Sequence, residues 1–547
     1  MKRLPIGIEN FKELIDKEYY YVDKTLFIKD VIEEKVSLYT RPRRFGKTLN
    51  MSMLYYFFSI KEKENAYLFD GLNISKDSDT LQYQNQYPVI LITLKDMKNI
   101  EFQNQIDSFQ VIFRELIGKF DELFKSDYLD DIEKKLLTSY REGNVNIAEL
   151  KDGLRFLSLC LYKHYHKKVI LLIDEYDVPL QNAYLNNYYD EMTDFLGGIF
   201  SAALKTNDTL EKGILTGCLR IAKESIFTGL NNFNVYSIFD RQSNTGFGFT
   251  PEETVSLLQN YDLRNYEHTV KEWYDGYLFG GQETYNPWSV LKYLQKIIQH
   301  DDEPESFWAN TSGNDLIYRY IQQGDTEMKQ DFDILCTGGL IEKTIKPELT
   351  YREMDDLENI YSFLLFTGYL KAIEKTGTNI YNLMIPNKEI HYIYTTIFEE
   401  WFKQQIKIYQ GSFVDALMKE HVVEANEILN TVLFQSISYF DYDEKYYHGF
   451  LNGMLQGVTL SRIESNQESG LGRCDIAVLP AYNRKRGLLF ELKVARCEED
   501  IEKAAKLACR QIKDMQYIEG LNKKGYTDIV GYGIAFYKKS CEIIKAE

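Results

Sequence analysis

The sequence predicts a multidomain protein of mixed α/β class, with a doubly wound N-terminal domain, a mostly helical middle region and an α+β C-terminal domain. Its 547 residues exceed what one hydrophobic core supports, and roughly 150 residues per domain suggests about three or four units. Apolar residues make up 44% and charged residues 27%, which is typical of a globular chain. Short apolar runs alternate with stretches of helical period, which indicates buried parallel strands flanked by helices.

The first predicted domain covers residues 1–250 and carries the parallel strands. Its apolar runs lie at residues 36–39, 88–92, 169–173 and 213–217. Each run is short and bounded by polar segments with helical period, the pattern of a doubly wound sheet. We therefore expect a parallel sheet with helices on both faces.

The second predicted domain covers residues 251–425. It opens with Thr250-Pro251-Glu252-Glu253, a capped helix start with proline in the first turn. We interpret it as a helical, winged-helix-like linker. Its two aromatic turns, at residues 273–277 and 285–288, are interpreted as packing corners rather than binding sites.

The third predicted domain covers residues 426–547 and is large enough to fold alone. Its pattern predicts helices at residues 444–455 and 499–517, and strands near residues 458–463, 474–478, 488–492 and 529–536. We expect an α+β unit. His448, on the first of these helices, is expected to be a core residue rather than a ligand.

A phosphate-binding loop is predicted between the first strand and the helix that follows it. The segment reads Arg41-Pro42-Arg43-Arg44-Phe45-Gly46-Lys47-Thr48 and matches the second half of a Walker A loop. In that geometry backbone N–H groups hold phosphate oxygens, Lys47 reaches the β and γ phosphates, and the Thr48 hydroxyl holds Mg²⁺. Arg43 and Arg44 are expected to add positive charge near the bound phosphates. Arg41 replaces the first glycine of the pattern, and Pro42 is expected to fix a different turn there.

Two further strands supply the partners of this loop. The apolar run at residues 169–173 ends in Asp174 and Glu175. Asp174 would bind Mg²⁺ through water, and Glu175 would orient and deprotonate the attacking water. A later strand ends near Thr216, which would sense the γ-phosphate, and Arg220 follows it, either facing the nucleotide or forming a structural salt bridge. ATP and Mg²⁺ are therefore the predicted ligands of the first domain.

A second chemical motif lies near the C-terminus. Asp475 is followed by Glu491 and Lys493 in the spacing D-x15-E-x-K. Residues i and i+2 on a strand share a face, so two neighbouring strands can bring the three groups together. Paired carboxylates bind Mg²⁺ at a scissile phosphate, while a lysine stabilises negative charge or positions water. The pattern indicates phosphodiester hydrolysis. Leu492, between Glu491 and Lys493, is expected to point to the other face of the strand, into the core.

Several longer motifs resemble a family of AAA-ATPase-like bacterial proteins. They are YVDKT at residues 21–25, RPRRFGKT at 41–48, IDEYDVPL at 173–180, LTGCLRIAKESIFTGLNN at 215–232 and WYDGYLFG at 273–280. In that family the position of Arg41 is typically not glycine. The resemblance implies a single-copy NTPase of the signalling or defence type.

The C-terminal constellation resembles the PD-(D/E)XK nuclease domain that commonly follows AAA-ATPase-like domains, over residues 430–540. The resemblance implies that the aspartate, glutamate and lysine of the motif form the catalytic trio. It also implies supporting roles for Glu468 and Gln511, and Glu444 is a further candidate. We therefore expect an ATP-gated, Mg²⁺-dependent nuclease. The alternative is a nucleotide-regulated switch or scaffold whose nuclease-like domain binds nucleic acid or a partner without cutting.

The charge distribution limits where nucleic acid can bind. The net charge of −18 argues against a protein whose whole surface binds nucleic acid. Local basic groups follow one helix face and one turn, and they are Lys503, Lys506, Arg510, Lys513 and, in the turn, Arg484, Lys485 and Arg486. These groups either bind phosphates near the third domain or solvate an exposed surface.

Cysteine usage and hydropathy indicate the compartment. The seven cysteines are scattered and form no CxxC motif, which is typical of reduced thiols. No uninterrupted apolar run approaches the roughly 18 residues needed to span a membrane. A cytoplasmic location without a membrane partner is expected, whereas the sequence does not indicate an oligomeric state.

Overall fold

The structure is a computed structural model that describes residues 2–205, 207–220, 226–227, 233–308, 326–435, 444–456, 461–480 and 486–546. The chain divides into two compact units. One consists of Met1–Ile317 and Leu340–His391, and the other of Tyr318–Gly339 and Tyr392–Glu547. The boundaries of the three predicted domains stay a prediction.

The α-helices of the first 308 residues are α1 Phe11–Asp16, α2 Phe27–Glu33, α3 Lys47–Phe58, α4 Ser78–Leu81, α5 Phe102–Gly118, α6 Asp131–Glu142, α7 Ile147–Tyr165, α8 Val178–Leu185, α9 Tyr189–Phe200, α10 Pro251–Asn260, α11 Glu267–Tyr274 and α12 Pro287–Ile298. Those that follow are α13 Thr326–Cys336, α14 Ile360–Thr367, α15 Lys388–Met418, α16 Val422–Gln435, α17 Glu444–Leu455, α18 Ile501–Asp514 and α19 Tyr517–Lys523. Short 3-10 segments lie at Ile60–Phe69, Asn73–Lys76, Asp121–Lys125, Arg264–Tyr266, Arg352–Asp355, Leu357–Asn359 and Glu498–Asp500, and a π-helical turn at Ser201–Lys205.

The strands are β1 Val36–Thr40, β2 Val89–Thr93, β3 Val169–Asp174, β4 Leu210–Gly217, β5 Phe233–Tyr236, β6 Tyr277–Phe279, β7 Gln282–Thr284, β8 Ile341–Thr344, β9 Lys371–Gly377, β10 Ile380–Met384, β11 Ser461–Ser469, β12 Gly472–Pro480, β13 Gly487–Val494, β14 Ile529–Tyr537 and β15 Ser540–Lys545.

A five-stranded parallel sheet of order β2-β3-β4-β1-β5 forms the centre of the N-terminal unit. Strands β1 and β3 are buried along their whole length, as expected when helices cover both faces of a parallel sheet. Strand β4 lies between them, with Thr216 paired to Tyr39 and Leu215 paired to Ile173. Because parallel strands end at the same edge, the loops after β1, β3 and β4 meet. The predicted doubly wound α/β fold is confirmed.

The middle region is largely helical, and helix α10 begins as predicted. The Thr250 hydroxyl accepts the backbone N–H of Glu253, and the Glu253 carboxylate accepts the backbone N–H of Thr250, at 3.3 and 2.8 Å. The region also holds a β6–β7 hairpin and an antiparallel sheet of order β8-β10-β9, which the sequence did not predict. Most side chains of β9 are exposed or half-buried, so this strand carries no apolar run to reveal it.

The C-terminal unit has a five-stranded sheet of order β11-β12-β13-β14-β15, in which only the β13–β14 pair is parallel. Helix α17 shares a core with one face, which includes Phe490 and Leu492. Helix α18 contributes to the core of the other face, which includes Leu489. Leu492 is therefore directed into the core, as strand alternation predicts.

Two predicted C-terminal elements differ in extent, and one observed strand was not predicted. The helix predicted at residues 499–517 ends at Asp514, because Gln516 adopts a φ of 52°, which no α-helix continues. A separate helix, α19, follows. The strand predicted at residues 458–463 begins at Ser461, and residues 457–460 lie outside the described chain. Strand β15 was not predicted.

Candidate active sites

The phosphate loop between β1 and α3 makes its left-handed turns at Arg44 and Gly46, with φ of 69° and 84°. Arg41 has no positive φ, so glycine is not needed there. Its side chain is fully buried, and its guanidinium donates to the carbonyls of Tyr236 and Ser243 at 2.9 and 3.3 Å. Burial lowers the pKa of Arg41 to about 10. The arginine therefore anchors the start of the loop to the end of β5 and to the chain beyond it.

Asp174, at the end of β3, is the point where three elements of this site converge. The Thr48 hydroxyl at the start of α3 donates to its Oδ2 at 2.7 Å, and the Thr216 hydroxyl near the end of β4 donates to its Oδ1 at 2.5 Å. Asp174 is 1% exposed. Burial and the neighbouring Glu175 charge raise its pKa to about 6. The sheet order thus brings the two predicted Mg²⁺ ligands, Thr48 and Asp174, together with Thr216, which is predicted to sense the γ-phosphate.

Lys47, in the phosphate loop, forms an ion pair with Glu175. The distance between Lys47 Nζ and Glu175 Oε1 is 3.4 Å. The ammonium also donates to the carbonyls of Arg41 and Pro42, each at 3.2 Å. Glu175 adopts a φ of 54°, an uncommon conformation for a residue with a side chain that is often found at functional sites. The two residues predicted to act on the terminal phosphate therefore face each other.

The phosphate loop opens into a cavity of about 730 Å³, a size usual for a small-molecule site. Gly46, Lys47, Thr48 and Glu175 line it, and Trp288 belongs to the apolar part of its lining. The packing-corner interpretation of residues 285–288 therefore does not describe Trp288. Nothing in the local pattern distinguishes a packing tryptophan from one in a cavity wall.

The remaining predicted nucleotide residues are placed differently. Arg43 lines the cavity and donates to the Gln181 side chain at 2.6 Å. Arg44 is exposed and also lines the cavity. Arg220 pairs with Glu348 at 2.7 Å, so of its two predicted roles the salt bridge is the one observed.

Asp177 is a buried carboxylate that the sequence analysis missed. One oxygen accepts the backbone N–H groups of Cys218 and Leu219, at 2.9 and 3.0 Å. Burial raises its pKa. These bonds join the turn after β3 to the segment after β4. A signal was present, since Asp177 closely follows Asp174 and Glu175 in the acidic segment that begins at the end of β3.

In the C-terminal unit the predicted trio lies where β12 and β13 separate. The last regular pair is Ile476 with Phe490. Just beyond it, Asp475 Oδ2 accepts the backbone N–H of Leu492 at 2.7 Å. Lys493 Nζ lies 3.1 Å from Glu491 Oε1. The three groups of the motif are thus together.

Glu491 has the features of a ligand-binding carboxylate. It is 2% exposed, and its Oε2 has no hydrogen-bond partner among the described residues. Burial and the nearby Asp475 charge raise its pKa to about 7. A buried oxygen without a partner is costly, so this atom is suited to a cation.

The predicted supporting residues divide into an inner and an outer group. Gln511 on α18 donates to the Tyr517 hydroxyl at 3.4 Å, and that hydroxyl donates to the Arg473 carbonyl at 2.9 Å, two positions before Asp475. Glu468 is instead exposed and pairs with the Arg473 side chain at 2.9 Å. The structure gives the position of Glu444 in α17, while its side chain lies outside the described set.

His448 is a second residue that the sequence analysis set aside. Its Nε2 lies 3.0 Å from the backbone carbonyl of Asp475, and its Nδ1 lies 3.2 Å from the Asn452 side-chain nitrogen. Because that nitrogen can only donate, Nδ1 accepts and Nε2–H donates to the carbonyl. His448 is only half-buried and contacts the motif strand, so describing it as a core residue was incomplete.

Some of the basic side chains predicted to bind phosphates form ion pairs, and others form none within the described chain. Lys503, Arg510 and Lys513 are exposed on α18 and form no ion pair within the described chain, whereas Lys506 pairs with Glu502 at 2.6 Å. In the turn, Arg486 pairs with Glu420 and Asp528 at 2.8 and 3.2 Å. Arg484 and Lys485 lie outside the described residues.

Both sites fit Mg²⁺ by their donor chemistry, since each offers hard oxygen ligands. Thr48 and Asp174 supply them in the N-terminal unit, and Asp475 with the unpaired Glu491 oxygen supplies them in the C-terminal unit. Within the described ranges no cluster of three or more His, Cys, Asp or Glu side chains could hold a metal. The remaining ligands of Mg²⁺ would therefore be water and phosphate, as is usual for this ion.

Fold and sites together define a protein that joins a phosphate-loop α/β domain to a mixed-sheet domain with paired carboxylates. The family model described as Predicted AAA-ATPase matches residues 5–227, and that of the PD-(D/E)XK nuclease superfamily matches residues 442–546. The chain thus carries an AAA-ATPase-like domain and, C-terminal to it, a PD-(D/E)XK nuclease superfamily domain, which confirms both predicted resemblances.

One relative matches nearly the whole chain. It is an uncharacterized protein in the vnfD 5′ region of Azotobacter chroococcum mcd 1, with 25% identity over 99% of this chain and 98% of its own length. The similarity therefore spans both regions that the family models match. Across the described part of the chain, no helix combines the length and apolarity that crossing a membrane requires.

Proposed function

We propose that the protein binds and hydrolyses ATP with Mg²⁺ at the phosphate loop, and that its C-terminal domain cleaves nucleic-acid phosphodiester bonds with Mg²⁺ under control of the nucleotide state. The observation that carries the proposal is the convergence of Asp475, Glu491 and Lys493 beside a buried, unpaired carboxylate oxygen. All seven cysteines are free thiols, which favours the cytoplasm as the compartment.

At the phosphate loop each residue has a separate task. Lys47 neutralises phosphate charge, Thr48 and Asp174 hold the cation, and Thr216 reports its presence through Asp174. Bound Mg²⁺ would neutralise the phosphates and stabilise the leaving group. A γ-phosphate that attracts Lys47 would loosen the ion pair observed with Glu175, leaving that carboxylate to accept the proton of the attacking water.

At the nuclease site Asp475 and Glu491 hold the cation from neighbouring strands. Bound Mg²⁺ would polarise the scissile phosphate. Lys493 stabilises the negative charge that develops on it, and its ion pair with Glu491 keeps it at the site. Gln511 and Tyr517 fix the backbone near Asp475 through the Arg473 carbonyl. The exposed cations of α18 would contact the nucleic-acid backbone.

A second candidate is a nucleotide-regulated scaffold whose nuclease-like domain binds nucleic acid or a partner without cutting. It is favoured by the small number of acidic ligands, since no third acidic or histidine side chain joins Asp475 and Glu491 among the described residues. The two candidates differ in one measurable respect, which is the production of new nucleic-acid ends.

The test is incubation of the purified full-length protein with Mg²⁺ and labelled DNA or RNA, with and without ATP. We expect phosphate release and new ends from the wild type. Glu491→Gln should abolish cleavage but retain phosphate release. Glu175→Gln should reduce phosphate release by about 100-fold or more and alter the ATP dependence of cleavage. Glu519→Gln, at an exposed position of α19, is the matched control.

Two results would contradict the proposal. Undiminished cleavage by Glu491→Gln would remove this residue from the chemistry. Tight binding of nucleic acid by the wild type with Mg²⁺ and ATP, without any new ends, would favour the scaffold.

A further inference from the structure

We propose that the apolar part of the lining of the 730 Å³ cavity is a base subsite, in which a purine nucleoside triphosphate places its base against Trp288 and the N-terminal segment around Val22. This inference rests on the proposed function, since the phosphates of the same nucleotide must lie at Lys47. It adds the part of the ligand that the phosphate loop does not determine.

The lining of the cavity is of two chemical kinds. The phosphate loop supplies the lysine, the hydroxyl and the backbone N–H groups. Another part of the lining is apolar or aromatic, and it includes Ile8, Val22, Phe249, Trp288 and Leu291. An inorganic phosphate would leave this apolar surface exposed to water. A ligand that is anionic at one end and flat and apolar at the other covers both.

Trp288 is fixed in its position by the start of helix α12. The Asn286 side chain accepts the backbone N–H groups of Trp288 and Ser289, at 3.0 and 3.3 Å, and so caps the helix. The guanidinium of Arg44 lies over the indole ring, 4.4 Å from its centroid. A cation of the phosphate loop therefore contacts Trp288, which places the indole beside that loop.

The N-terminal part of the lining is tied to the segment at residues 245–261. Lys24, which is 9% exposed, donates to the Thr245 carbonyl at 2.9 Å and pairs with Glu253 at 2.5 Å. The Tyr20 ring packs against that of Tyr261, with centroids 5.8 Å apart. These contacts make the wall a preformed surface, so little ordering entropy is lost on binding.

Val22 offers the polar groups that a base edge requires. Its side chain is half-buried in the wall, and its backbone N–H and C=O form no hydrogen bond with any described residue. One backbone donor beside one acceptor can pair with an adjacent acceptor and donor on the edge of a nucleobase. A purine also presents a larger π face to the indole than a pyrimidine does, and stacking on an aromatic side chain strengthens with that area.

The experiment compares the binding of ATP with that of inorganic triphosphate, both with Mg²⁺, by titration calorimetry on the full-length protein. Trp288→Ala should weaken ATP binding by about tenfold, while the affinity for inorganic triphosphate stays unchanged. Trp288→Phe keeps an aromatic face and should restore most of the ATP affinity. Trp273→Phe is the control, since Trp273 is half-buried outside the cavity wall. The wild type should bind ATP and GTP more tightly than UTP.

The outcomes separate this inference from the proposed function. Equal ATP affinity in the wild type and Trp288→Ala would overturn the base subsite and leave the phosphate site intact. Parallel loss of ATP and inorganic triphosphate would also overturn it, because Trp288 would then act only through the loop. Equal affinity for ATP and UTP would overturn the purine assignment. A wild type that binds neither ATP nor inorganic triphosphate would refute the proposed function, and the base subsite with it.

Discussion

Asp475 accepts a hydrogen bond from the backbone amide of Leu492 at 2.7 Å, at the point where the regular pairing of β12 with β13 has ended. A side-chain oxygen thereby takes the place of a strand carbonyl. The bond holds the two strands together while it fixes the carboxylate beside Glu491. Asp475 thus lies at the end of the strand pairing and orients the site. Because its hydrogen bond with the Leu492 amide needs only an accepting oxygen, the charge of Asp475 can be removed without removing that bond.

The first prediction concerns that charge. Asp475→Asn keeps an oxygen that accepts the Leu492 amide, so the fold should be retained, but it removes the negative charge that attracts a cation. Cleavage should fall by at least about 100-fold, and Mg²⁺ binding measured by calorimetry should weaken. Asp514→Asn, at the exposed end of α18, should change neither quantity. Normal cleavage by Asp475→Asn would exclude Asp475 as a ligand.

The second prediction concerns His448, which we assign as a positioning residue. Its ring holds the Asp475 carbonyl at 3.0 Å, so His448→Ala should let the start of β12 shift. We expect about a tenfold loss of cleavage, recovered in part at high Mg²⁺ concentration because the carboxylates themselves remain. His421→Ala, which alters an exposed ion pair with Glu424, is the control. A loss that Mg²⁺ does not relieve would argue against a positioning role.

The third prediction concerns Thr216. Thr216→Val preserves the shape of the buried side chain and removes the donor that Asp174 Oδ1 accepts at 2.5 Å. Since hydrogen bonds to charged groups are strong, ATP hydrolysis should fall about tenfold or more. The rate of phosphate release measures this effect, and Thr138→Val, on an exposed helix face, is the comparison. An unchanged rate would show that the hydroxyl is not coupled to the chemistry.

The fourth prediction is a pH dependence of stability set by Glu389. This carboxylate is fully buried and accepts the Ser289 hydroxyl and the backbone N–H groups of Phe307 and Trp308. Burial raises its pKa to about 8, from 4.5 in the unfolded chain. The folded state therefore retains a proton that the unfolded state loses, and stability falls as pH rises from about 4.5 to about 8.

Glu389→Gln keeps the accepting oxygen and has no proton to lose, so it should remove this fall. The melting temperature of the variant, relative to the wild type, should increase between pH 6 and pH 8. The exposed Glu303→Gln should show no such trend. Parallel melting curves of wild type and Glu389→Gln across this range would contradict the assigned pKa.

The features best predicted from the sequence were those in which an apolar strand pattern is followed directly by side chains suited to catalysis. The parallel strands were visible because buried strands are continuous apolar runs, and Asp174 and Glu175 follow one of them directly. Strand β9 was missed because its side chains are mostly exposed. Glu468 was grouped with the catalytic trio from a resemblance, whereas the structure pairs it with Arg473 at the surface.

The sequence by itself determined the two folds, the phosphate loop and the identity of the acidic and basic groups, because periodicity and short-range spacing are written directly into it. Only the tertiary structure decided which distant groups meet. The strand order β2-β3-β4-β1-β5 brings Thr216 to Asp174, and the packing of the middle region places Trp288 in the cavity wall and Arg220 on Glu348. Such contacts depend on how separate elements pack, and a linear pattern carries no record of that packing.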